Sequence, residues 1–427
     1  MKVSYTLFAL THWFICRSVP ALLHGSVTKQ QRRKRRIMKK KVVSLLAAMA
    51  LAVTALAGCG SNNAATTGTD AATVAATTEA AGTTEAATNS EAVTGVKAGF
   101  IFLHDENSTY DLNFLNGAKA ACEKLGIEYM TKTNIPEGQE AYEAACELAD
   151  AGCNFIFADS FGHEDYIIEA AKEYPDVQFS HATGTKAHTE GLDNFHNAFA
   201  SIYDGRYLAG IVAGMKLNEM IANGDITEDQ AKMGYVGAYT YAEVMSGYTS
   251  FYLGARSVCP TVKMKVTFTG SWYDEVKEKS AAENLIAKGC NLISQHADSW
   301  GAPTACENAG VPNVSYNGST ESKCPDTFII SSRINWQPYY ELIIDAARGG
   351  EKVPTDWTAS FGDFYTAKNG SVCVTELGKK APAKGTADVL NHLVYRMKYD
   401  PSFKVFDCDT FTVNGKKLET YMADVNT

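Results

Sequence analysis

From Val96 onward, short apolar runs alternate with stretches whose apolar residues recur at helical spacing. The first runs predict a strand over Lys97–Leu103, a helix over Leu112–Leu125 stopped by Gly126, and a strand over Ile127–Thr131. A helix over Glu140–Ala149 turns at Ala151-Gly152 into the buried strand Asn154–Ala158. Glu164–Glu173 is then a helix closed by Tyr174-Pro175, and Val177–Ser180 a strand. After a long helix, Tyr203–Ile221, the rhythm restarts with strands at Met233–Ala238, Lys263–Phe268 and Asn291–Gln295. Helices at Ala242–Ser257 and Trp272–Lys288 separate them, and two more strands fall near Asn313–Tyr316 and Thr327–Ile330. Strands separated by helices of this length predict right-handed βαβ units and parallel sheets. Two such series predict an α/β protein of two doubly wound lobes joined by a hinge.

In doubly wound sheets the ligand lies beyond the carboxyl ends of the strands. In a two-lobed receptor those ends face one cleft. The residues following the predicted strands are aromatic and acidic or amidic: Asn107, Tyr110, Asp111, Phe161, Tyr239, Glu243, Trp272, Asp298, Trp300 and Asn317. Aromatic faces stack on a planar ring while carboxylates and amides read its edge. A heterocycle suits this set; a sugar, which also pairs aromatics with acids, stays open. Any one of these rings is more often lobe core than ligand wall, and only their recurrence after successive strands singles them out. Asp298 and Asn317 are expected to read the ring edge, with Tyr110 and Trp272 or Trp300 on its faces.

The front of the chain carries an address. Met38-Lys39-Lys40-Lys41 is basic, an apolar run follows from Val42 to Leu56, and Leu56-Ala57-Gly58-Cys59 closes it. The run is short for a bilayer-spanning helix and suits a secretory signal. Its end resembles the bacterial lipobox, which implies lipidation of Cys59. Residues 1–37, with the basic cluster Arg32–Arg36, do not fit this signal and read as a start assigned upstream of Met38. From Gly60 to about Thr94 the chain is almost wholly Ala, Thr, Gly, Asn, Ser and Glu, without an aromatic residue. Such a segment buries too little apolar surface to order itself and reads as a tether. The expected organisation is therefore a signal region over 1–58 and a lipidated linker over 59–95. The N-lobe is expected over 96–199 with 333–352, and the C-lobe over 200–332 with 353–427.

Charge narrows the partners. Residues 1–58 hold 11 of the 39 Lys and Arg and none of the 48 Asp and Glu, so 28 against 48 leaves the remainder at −20. Nucleic acid and anionic lipid surfaces both call for positive charge and are excluded as partners. Nine cysteines follow Cys59, an odd number without CxxC spacing, and most fall in apolar runs where Cys acts as a small hydrophobe. No GxxxxGK[ST], GxSxG or HExxH occurs, and His104/Asp105, His163/Asp165 and His296/Asp298 lie on separate loops. No enzyme, metal or cofactor is expected.

Several pieces then stand in a telling order. They are Tyr110-Asp111-Leu112-Asn113-Phe114-Leu115-Asn116-Gly117, Tyr174-Pro175-Asp176-Val177-Gln178-Phe179 and Asp204-Gly205-Arg206-Tyr207-Leu208-Ala209-Gly210. Met233-Gly234-Tyr235-Val236-Gly237, Leu253-Gly254-Ala255-Arg256 and Gly270-Ser271-Trp272-Tyr273-Asp274 follow. Gln295-His296-Ala297-Asp298-Ser299 and Val314-Ser315-Tyr316-Asn317 complete the series. Over roughly Lys97 to Gly350 this resembles the basic membrane protein family of solute-binding lipoproteins, which includes purine nucleoside receptors and adenine-binding members. The resemblance implies a type I periplasmic-binding fold with three crossovers, an ABC permease with its ATPase as partner, and an extracytoplasmic place on the membrane. It also implies that Tyr110 stacks on a base. Asp111 stands where the family has Asn, Asn107 where it has an acid, and Asn317 where nucleoside binders have a ribose-binding acid. The Gly-Ser-Trp-Tyr-Asp and Gln-His-Ala-Asp-Ser pieces are similar to the adenine-type subgroup, so base and nucleoside both stay open. Two other functions remain beside import: a ligand-sensing co-receptor and, against the missing nucleophile, a nucleoside hydrolase.

Overall fold

The computed structural model describes residues 95–348, 352–361, 370–400 and 402–406, with short strands at 86–87, 412–413 and 416–417. The expected signal region, Cys59 and nearly all of the expected linker lie outside the described residues.

The first sheet is built from Lys97–Ile101 (β1), Glu128–Lys132 (β2), Phe155–Ala158 (β3), Gln178–Ala182 (β4) and Phe195–Ala200 (β5). Its spatial order is 86–87, β2, β1, β3, β4, β5, then Asp356–Ala359. All pairs are parallel except 86–87 against β2. The central strands are buried on both faces, so Phe155-Ile156-Phe157-Ala158 is a continuous apolar run rather than an alternation. Thr109–Leu125 (α1), Gln139–Asp150 (α2) and Glu164–Glu173 (α3) are its crossovers. In α1, Ser108 caps the first turn by accepting from the Asp111 N–H, and Gly126 at φ 63° closes the last.

Ile202–Asn223 (α4) opens the second lobe. Its sheet comprises Lys232–Gly237 (β6), Lys263–Phe268 (β7), Leu292–His296 (β8), Asn313–Tyr316 (β9) and Phe328–Ile334 (β10). The order is Val372–Val374, β10, β9, β8, β6, β7, with only Val372–Val374 antiparallel. Ala242–Val258 (α5), Glu275–Ala287 (α6) and Gly301–Ala309 (α7) cover it. Helices α4 and α5 meet backbone to backbone. A Cβ added at Gly210 would lie 2.0 Å from the Phe251 carbonyl oxygen, and one at Gly254 2.1 Å from that of Tyr207.

The chain passes between lobes after Ala200, after Ile334 into Gln337–Ala347 (α8), and between Ala359 and Val372. Helix α8 packs on the first lobe against α1, where Gly117 sits under Trp336. Residues 353–359 were assigned by sequence to the second lobe. Asp356–Ala359 instead extends the first sheet by pairing with Asn197–Ala200. Thr386–Tyr399 (α9), which the helical spacing did not single out, packs on α4. No helix among the described residues is long and apolar enough to cross a membrane. The eight described cysteines are buried.

Candidate functional site

Between the lobes, at the carboxyl ends of β1, β3, β4, β8 and β9, lies a cavity whose empty space, counted together with the open solvent at its mouth, is about 350 Å³. The first lobe supplies Leu103, His104, Tyr110, Asp111, Ser160, Phe161 and Thr183; the second supplies Glu243, Trp272, His296, Asp298 and Tyr316. Among the described residues, no Lys or Arg lines it.

The lobes touch around this space. The Thr109 N–H and Oγ1 donate to the Asp298 carbonyl at 3.1 and 3.2 Å. Asn113 Nδ2 donates to the Asn317 carbonyl at 2.9 Å. Trp272 Nε1 donates to Glu137 at 3.2 Å, and Phe161 stacks on Tyr241 with centroids 4.7 Å apart. The cleft is closed.

Each wall is fixed from behind. Tyr110 lies in the first turn of α1; its hydroxyl donates to the Asp159 carbonyl at 3.0 Å, and its ring meets Phe114 edge to face at 4.8 Å. The Asp111 carboxylate is largely used within its own lobe. It accepts from the His104 N–H at 2.8 Å and from Ser108 Oγ at 2.5 Å, with His104 Nδ1 at 3.4 Å. In the second lobe Glu243 Oε1 accepts from the Tyr316 hydroxyl at 3.0 Å and lies 3.3 Å from His296 Nε2. His296 and Tyr316 have ring centroids 4.0 Å apart. Beneath them the buried Arg206 guanidinium lies over the rings of Phe251, Tyr235 and Tyr316 at 4.9, 5.4 and 5.7 Å and donates to the Ser315 carbonyl at 3.0 Å.

Of the ten residues singled out by sequence, Tyr110, Asp111, Phe161, Glu243, Trp272 and Asp298 line the cavity. The other four do not. Asn107 is exposed and bonds to Asp105 at 2.9 Å. Tyr239 stands among the rim rings, 5.3 Å from Tyr241. Trp300 precedes α7 with the Lys323 ammonium 4.4 Å above its ring. Asn317, at φ 60°, meets the opposite lobe through its backbone carbonyl. His104, Ser160, His296 and Tyr316, which also follow predicted strands but are not among the ten, face the cavity as well, as does Thr183, which no strand-end segment included. The histidines were read against acids adjacent in sequence. Their acids in space are Asp111 for His104, Asp159 for His163 and Glu243 for His296. No cluster of metal-ligating residues occurs among the described residues.

Residues 102–379 match the family described as ABC transporter substrate-binding protein PnrA-like. The chain belongs to this family. It is a substrate-binding protein of ABC transport systems and not an enzyme. It is 35% identical over 258 residues to a purine-binding protein of Brucella abortus, covering 59% of this chain and 68% of that one. It is 31% identical over 226 residues to a protein of Haloferax volcanii named as an ABC transporter glucose-binding protein, covering 53% of each. Among solved structures, an ABC transporter solute-binding protein from Aeropyrum pernix aligns over 71% of this chain and 91% of that one, with TM-score 0.59 at 17% identity. That likeness establishes the type I periplasmic-binding fold.

In this solute-binding protein the cavity acids divide by environment. Burial, then the neighbouring Asp111, Glu278 and Glu243 charges, push the Asp298 carboxyl well above the usual range. Burial and Asp111 do the same to Asp159 behind the wall. Burial also acts upward on Asp111, but the hydrogen bonds and charge around it, His104 foremost, hold it below the ordinary value.

Proposed function

We propose that this protein captures an uncharged planar heterocycle, a purine base or its nucleoside, and hands it to an ABC permease and ATPase. The observation that carries the reading is the lining of the closed cavity. Tyr110, Phe161, Trp272 and Tyr316 offer ring faces, Asp298 and Glu243 offer acceptors for ring N–H groups, and no Lys or Arg among the described residues lines it to hold phosphate. Stacking supplies affinity and the acids supply discrimination. The purine-binding relative at 35% identity supports the same class. The Leu56-Ala57-Gly58-Cys59 sequence supports attachment by a lipid on Cys59 at the extracytoplasmic face, with residues 60–95 as the tether.

Mass spectrometry of the denatured protein identifies what co-purifies. Calorimetry follows, with adenine, guanine, hypoxanthine, their nucleosides and glucose. Micromolar binding of one of the six purines is expected. Glucose binding with all six purines silent would overturn the purine reading in favour of a sugar.

A further inference from the structure

Glu137 lies between β2 and α2, outside the cavity lining, yet its Oε1 is a meeting point for three donors. Ser160 Oγ donates to it at 2.5 Å and the Gly162 N–H at 2.9 Å, both from the turn that carries Ser160 and Phe161 to the cavity. The third donor, Trp272 Nε1 at 3.2 Å, comes from the opposite lobe. The fit to the turn is close: a Cβ added at Gly162 would lie 2.5 Å from Glu137 Cδ. Around this carboxylate a row of rings spans the mouth. Phe161 stacks on Tyr241 at 4.7 Å, Tyr241 on Tyr239 at 5.3 Å, and Tyr239 meets Trp272 edge to face at 5.0 Å.

We propose that Glu137 is a positioning residue for ligand retention, clasping Trp272 in the closed state and thereby setting how slowly bound solute leaves. The proposal rests on the reading of the cavity as the solute site. Two donors from its own lobe hold the carboxylate in place whether the lobes are open or closed. The indole N–H reaches it only when the lobes meet. A contact made only in the closed state shifts the open–closed balance and acts on dissociation, while association proceeds through the open state. The ionised acceptor matters because charge-assisted hydrogen bonds are stronger than neutral ones.

Stopped-flow fluorescence with adenine as probe tests this on wild type, Glu137→Ala, Glu137→Gln and Trp272→Phe. Loss of one such bond corresponds to roughly ten- to 150-fold faster dissociation. Glu137→Ala and Trp272→Phe should each show it, with association within about twofold of wild type, and their combination should be no worse than either alone. Glu137→Gln, which keeps an acceptor oxygen, should fall between. A second measurement needs no ligand: spin labels at Lys119→Cys and Glu283→Cys, one exposed position on each lobe, report the closed fraction by their distance distribution. Glu137→Ala should lower that fraction. If adenine fails to bind wild type, the ligand assignment falls and the clasp is judged by the label distances alone. Equal closed fractions in wild type and Glu137→Ala overturn the clasp, as does a variant whose association slows as much as its dissociation quickens.

Discussion

Tyr110 offers the sharpest test of the cavity because its ring and its hydroxyl do different work. The ring faces the cavity, while the hydroxyl is tied to the Asp159 carbonyl at 3.0 Å. Tyr110→Ala removes the face that a heterocycle would stack on. Stacking of a base on an aromatic side chain is worth about 1–3 kcal/mol, or roughly five- to 150-fold in Kd. Tyr110→Phe keeps the face and its edge contact with Phe114 and gives up only one neutral hydrogen bond within the first lobe. Such a bond contributes about 1 kcal/mol to folding and nothing directly to the ligand. Calorimetry on both variants should therefore give a large loss of affinity for Ala and less than about threefold for Phe. Thermal melting should show Phe slightly destabilised without ligand. Equal losses of affinity would mean that the hydroxyl reads the ligand, and a silent Tyr110→Ala would remove Tyr110 from the site.

The acceptor role of Asp298 predicts that Asp298→Ala weakens binding by about 1–3 kcal/mol, with Asn much milder because it keeps a carbonyl oxygen; the same calorimetry reads both. Burial raises the Glu278 carboxyl from 4.5 to about 7. A raised folded value means stability is full below about 4.5 and is lost as pH climbs towards 7, by about 2–3 kcal/mol. Urea titrations of Glu278→Gln should lack that loss, and an unchanged pH slope would refute the assignment. Gly254→Ala drives a methyl into the Tyr207 carbonyl and should cost about 1–3 kcal/mol or more in denaturant unfolding. Cys59→Ala should abolish lipidation; partition into detergent unchanged from wild type would rule out the anchor.

The strand–helix rhythm was legible because buried parallel strands write unbroken apolar runs such as Phe155–Ala158, bounded by Gly126, Gly152 and Tyr174-Pro175. The strand-end rule then found the cleft. It failed in detail where local chain geometry decides which way a residue faces. Ser108 with Asp111 three residues on is an N-terminal capping pattern, and it starts α1 three residues ahead of the apolar period. That places Tyr110 and Asp111 in a helical turn facing the cavity and leaves Asn107 outside it. The Asp111 carboxylate is engaged there too, by the Ser108 hydroxyl and by the His104 N–H, and the second of these partners carries no sequence signal. Asn317 adopts a left-handed conformation that no residue pattern announced. His296 and Glu243 lie 53 residues apart, and only the sheet order β8–β6 with α5 brings them together. The return of residues 356–359 to the first sheet left no signal either, since a four-residue edge strand without a following helix carries no period.

The glycine-seated crossing of α4 and α5 makes the second lobe a lever. Helix α4 leaves the first interlobe crossing at Ile202, and α5 carries Glu243 in its first turn. At Gly210 and Gly254 backbone rests on backbone, with no side chain between the two helices at those points to slide or repack. A contact this close would carry a rotation begun at residues 200–202 into α5, the helix whose first turn holds Glu243. Side-chain enlargement at either glycine would put a compliant joint into the arm and blunt the response of the site to hinge motion.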